Sequence, residues 1–154
     1  MNKKNYLERL RFSMVVEDQT IRGRITPTIS IGLESMDKHD FILDPKQSFN
    51  TFTFDETISS PGTQKLQLHI KELENDSYKI GAVKIIDLRI HGISIHNRLY
   101  QSTYYPYYDA EHSKDTPTAP TELKSVLLLG NRGTWEFTFE TPVHEHETWR
   151  IGLV

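Results

Sequence analysis

The sequence predicts an all-β chain: an antiparallel β-sandwich of jelly-roll-like type with one long tyrosine-rich loop. Three observations predict it. Apolar and polar residues alternate with period two over several short runs, as in a strand with one dry face and one wet face. Turn residues separate those runs at short intervals. No window sustains a period of 3.6, so helices do not organise the chain. Many short strands with regular turns favour two antiparallel sheets packed about 10 Å apart. At 154 residues and 36% hydrophobic content, residues 1–154 form a single domain with a core of its own.

The elements follow in chain order. Residues 1–10 form an N-terminal arm containing Lys3, Lys4 and Arg9, and residues 5–10 are the best short helical candidate. Weaker strands are expected at 11–16, 20–25, 28–33, 40–43 and 50–54, with Gly23, Pro27 and Pro45 among the turn residues. The clearest alternation starts at Leu66, where Leu66, Leu68 and Ile70 share one face and Gln67, His69 and Lys71 the other. Ile86, Leu88 and Ile90 repeat it, and the run from Ile93 to His96 resumes it after Gly92. Trp135, Phe137 and Phe139 do the same with aromatic rings. Pro61-Gly62, Asn75-Asp76-Ser77 and Gly130-Asn131-Arg132-Gly133 read as turns.

Residues 100–121 break this rhythm. Five of the seven tyrosines fall here, at Tyr100, Tyr104, Tyr105, Tyr107 and Tyr108, ahead of a Thr/Pro-rich tract. A loop of this length in a compact domain is often functional. Tyrosine combines a flat apolar face with a hydroxyl, which suits sugar stacking and protein interfaces alike. These five tyrosines and Trp135 are therefore the candidate ligand- or partner-binding residues, against the plainer reading that they pack the loop onto the sandwich. Asp109 and Glu111, just beyond, are candidate calcium ligands because their oxygens match that hard cation. His144 and His146 would share a strand face and form a candidate transition-metal pair. His91 and His96 flank a hairpin or bulge and read as surface-strand residues.

Composition narrows the function classes. A formal net charge of −3 gives no general attraction to nucleic acid or to an anionic membrane. There are no cysteines, so disulfides, thiolate metal sites and cysteine nucleophiles are excluded. The longest aliphatic run, residues 126–129, is too short to cross a bilayer, so no membrane insertion is expected. The N-terminus lacks the apolar stretch of a secretory signal, and synthesis as a soluble cytoplasmic protein is expected. No nucleophile elbow, HExxH or dinucleotide fingerprint is present, and a non-enzymatic role follows as the expectation.

A resemblance adds to this. The strand-glycine-strand run from Ile85 to Ile95, the tyrosine-rich segment, and the stretch from Leu128 through Gly130-Asn131 and Trp135 to Phe139, closed by Pro142, form one layout. Over residues 65–142 it resembles short virion-associated proteins of myovirus-type tailed bacteriophages. Those are similar in layout to the β-sandwiches of calcium-dependent carbohydrate-binding modules. The resemblance implies a structural protein of a virion (tail, baseplate or capsid surface) that acts by protein–protein assembly. Its partners would be other virion subunits, further copies of itself, or a surface glycan. The alternative is a carbohydrate-binding module, calcium-dependent or not, that recognises a surface glycan through the tyrosine-rich loop. No calcium-ligand set of the family can be matched residue by residue.

Overall fold

The computed structural model describes residues 6–20, 26–70, 81–106, 122–129 and 133–143. They form two antiparallel sheets, as the alternation predicts. The strands are β1 (Glu8–Asp18), β2 (Thr28–Leu33), β3 (His39–Ile42), β4 (Phe49–Ile58), β5 (Gly62–Ile70) and β6 (Val83–Ile90). They continue with β7 (Ile93–Ser94), β8 (Thr103–Pro106), β9 (Leu123–Lys124), β10 (Leu128–Leu129) and β11 (Gly133–Thr141). A short 3-10 helix, His96–Gln101, precedes β8. One sheet runs β10-β6-β1-β4, with β7 also on β6; the other runs β3-β2-β5-β11-β8-β9.

The core lies between the sheets. From one side come Leu10, Phe12, Met14 and Val16, each fully buried. Ile29, Ile31, Leu66, Leu68, Trp135 and Phe137 meet them from the other. Phe12 links the layers. It stacks on Phe54 of its own sheet at 5.1 Å and meets Phe139 of the opposite sheet edge-on at 5.9 Å. At one open side, His39 and Glu56 bridge the sheets with Nε2 and Oε1 2.7 Å apart.

Four expectations are corrected. The N-terminal arm ends earlier, because β1 begins at Glu8 and pairs with Ile58 of β4. Leu10 is buried in step with Phe12 and Met14, so a helix over residues 5–10 is replaced by period-two burial from Glu8. In β6, Ile86 does not share the inward face of Leu88 and Ile90. Val15 faces Asp87 and Val16 faces Ile85, so a bulge leaves Ile86 unopposed and Ile85 takes the inward place. The long loop is also shorter than expected: residues 100 and 101 close the 3-10 helix, and 103–106 form β8 on β11. Residues 107–121 of that loop, and the weak strand expected at 20–25 beyond Thr20, lie outside the described residues.

The β6–β7 connection is a two-residue hairpin, with Ile90 opposite Ile93. His91 and Gly92 both take positive φ, 56° and 78°. This is the turn whose twist matches that of the strands, and glycine makes its second position inexpensive.

Candidate functional site

The β8–β11 pairing sorts the aromatic candidates. Tyr104 sits opposite Trp135 and Tyr105 opposite Thr134. Alternate residues point to opposite faces, so Tyr104 and Trp135 turn inward together. Tyr104 is 3% exposed and Trp135 is fully buried, with Trp135 stacked alongside Phe137 at 6.3 Å. These two belong to the core, which corrects their assignment as surface contacts. Tyr105 faces out at 39% exposure, and Tyr100 is exposed on the 3-10 helix. Tyr107, Tyr108, Asp109, Glu111, His144 and His146 lie outside the described residues.

Tyr105 stands at one flank of the outer face of the six-stranded sheet. Register carries a row of side chains across that face. Tyr105 of β8 lies opposite Thr134 of β11, Thr134 opposite His69 of β5, His69 opposite Ser30 of β2, and Ser30 opposite Asp40 of β3. Directly opposed residues have Cβ atoms about 4.5–5.5 Å apart. Thr134 Oγ1 and His69 Nδ1 are hydrogen-bonded at 2.7 Å. The Ser30 hydroxyl makes no side-chain hydrogen bond among the described residues, although Ser30 is only 9% exposed. A second row lies beside the first, through Gln67, Glu136, Thr103 and Lys124. Side-chain hydrogen bonds run along this row. Gln67 Nε2 donates to Glu136 at 2.9 Å, and Lys124 Nζ donates to Thr103 at 2.9 Å and pairs with Glu122 at 2.7 Å.

The charges follow from these contacts. The Glu122 carboxylate raises the Lys124 ammonium above its ordinary range and keeps it charged. Burial, helped by the nearby Lys38 cation, lowers the His69 imidazole below its ordinary range. On the outer face of the other sheet, Arg9 hydrogen-bonds Asp55 at 2.6 Å and holds its carboxyl below the usual value.

The His69 shift makes stability depend on pH. Its folded value lies below its unfolded value, so the unfolded chain binds the proton more readily. The contribution is complete above the unfolded value and is lost as pH falls through the folded one. Urea midpoints measured from pH 8 down to pH 5 should therefore fall more steeply for the parent than for His69→Gln. Parallel profiles would contradict this.

Neither His69 nor Ser30 stood out in the sequence. Alternation placed His69 on a wet face, but only register shows what lies beside it. Among the described residues, no group of three His, Asp or Glu side chains is placed to hold a metal ion.

Comparison with known proteins bears on the fold. No family model matches the chain, and no curated protein matches it. A solved structure does match: the selenomethionine form of vCBM60, presented with a circular permutation that links two families of calcium-dependent carbohydrate-binding modules. The TM-score is 0.50 at 9% identity, over 83% of this chain and 89% of that one. The fold is a β-sandwich of that type. At this identity the likeness concerns architecture, and function has to be argued from the side chains.

Proposed function

We propose that this chain is a non-catalytic binding module that recognises carbohydrate on the outer face of its six-stranded sheet. One observation carries the reading: the outward Tyr105 ring stands beside the hydrogen-bonded Thr134–His69 pair. A sugar presents a C–H face and a rim of hydroxyls. An aromatic ring beside hydroxyl and imidazole groups on rigid strands complements both. The architecture shared with vCBM60 supports the reading at the level of fold.

The test is a glycan array, read with calcium and again with a chelator. Capture of a defined glycan that Tyr105→Ala reduces by about tenfold, with an unchanged melting temperature, is the expected result. Capture that requires calcium would move recognition to a metal site, for which Asp109 and Glu111 stand as candidates.

The second reading is a virion subunit that acts by assembly. Its support is apolar exposure on the outermost strand of each sheet, with Ile42 of β3 82% exposed and Phe49 of β4 52% exposed. Edge strands with exposed apolar side chains pair readily with other chains. Absence of glycan capture in both conditions favours this reading and directs the search to protein partners.

A further inference from the structure

We infer that the ligand is an extended glycan that lies across the strands from Tyr105 toward Ser30. This rests on the carbohydrate reading above and adds the ligand's length and direction.

Direction comes from which groups remain free. The row through Gln67, Glu136, Thr103 and Lys124 is occupied by its own hydrogen bonds, and Gln67 reaches Glu34 as well, at 3.4 Å. In the other row, the Tyr105 hydroxyl and the Ser30 hydroxyl make no side-chain hydrogen bond among the described residues. His69 uses Nδ1 on Thr134 and leaves Nε2 without a hydrogen bond among them. The free groups thus stand on β8, β5 and β2, in line across the sheet. The Ser30 hydroxyl can donate one hydrogen bond and accept others, which suits a sugar hydroxyl.

Length comes from strand spacing. β8 and β2 are separated by β11 and β5, three spacings of about 4.8 Å, or about 14 Å in all. A single sugar ring cannot reach from Tyr105 to Ser30, whereas a short linear oligosaccharide can.

The test is calorimetric titration of the full chain, with and without calcium. The probes are di- and hexasaccharides of β-1,4-linked glucose, mannose and xylose and of galacturonate. One hexasaccharide should bind at least about tenfold more tightly than its disaccharide. Ser30→Ala and Tyr105→Ala should each weaken it by roughly threefold to tenfold, the loss of one hydrogen bond or ring contact. Both variants should keep the parent's melting temperature. If Tyr105→Ala weakens binding and Ser30→Ala does not, the ligand is short; the inference then fails while the carbohydrate reading stands. A disaccharide that binds as tightly as its hexasaccharide also overturns the inference alone. Failure of every saccharide, with and without calcium, overturns both.

Discussion

Trp135→Ala is expected to lose about 3–5 kcal/mol of folding stability, the range for removing a large buried aromatic side chain. The indole is fully buried, stacks near Phe137, and faces Leu68 and Tyr104 on the neighbouring strands. Its removal leaves a cavity between three strands that are tied into one sheet and cannot close freely over it. A domain of this kind has about 5–15 kcal/mol in total, so much of the folded population is at stake. The melting temperature should fall on the order of 10 °C, and the denaturant midpoint should drop with little change in slope. Trp135→Phe should cost much less. It keeps an aromatic ring, and the indole N–H it gives up has no hydrogen-bond partner among the described residues. An alanine variant with an unchanged midpoint would mean that the side chain is at the surface after all.

The second large effect is expected at Gly133, where β11 begins against β8. A Cβ there would stand 2.4 Å from the Tyr105 carbonyl oxygen and 2.9 Å from the Pro106 Cα. Both are backbone atoms, so relief requires a shift of the strand and not a new rotamer. Gly133→Val should cost about 1–3 kcal/mol, as overpacking does. It should also weaken glycan binding, because the displaced strand carries Tyr105. The contrast with Tyr105→Ala is diagnostic: that variant removes the ring and leaves the β8–β11 pairing in place. Thermal melts alongside calorimetric titration separate the two. A Gly133→Val protein with parent stability and parent affinity would show that β8 does not approach β11 this closely.

Much of the sandwich was legible in the chain. The inward faces of β5 and β11 follow directly from alternation, and β2 falls on the stretch 28–33 where a strand was expected. Alternation works because a strand buried on one side has a side-chain period of two, and burial enforces it. The reading failed where a tertiary contact altered the local pattern. The bulge opposite Val15 and Val16 exists only because β1 and β6 pair, and nothing in the run from Ile85 to Ile90 announces it. β8 was hidden in the tyrosine-rich segment because only four residues pair with β11, too few for a period to stand out.

The candidate site divides along the same line. Composition and motif content determined a non-catalytic expectation, the absence of cysteine chemistry and the concentration of tyrosine between residues 100 and 108. Alternation also put His69 on a wet face. Whether a tyrosine faces the core or solvent depends on one residue of register, and register is set by the partner strand. That is why adjacent Tyr104 and Tyr105 have opposite environments, and why Trp135, an attractive surface anchor by residue type, is core. The row from Tyr105 through Thr134 and His69 to Ser30 draws on four strands spread over residues 28–141. No local pattern in the chain encodes such a row. Alternation determined which residues of a run share a face, and only the pairing of the strands decided which face meets water and which residues meet it side by side.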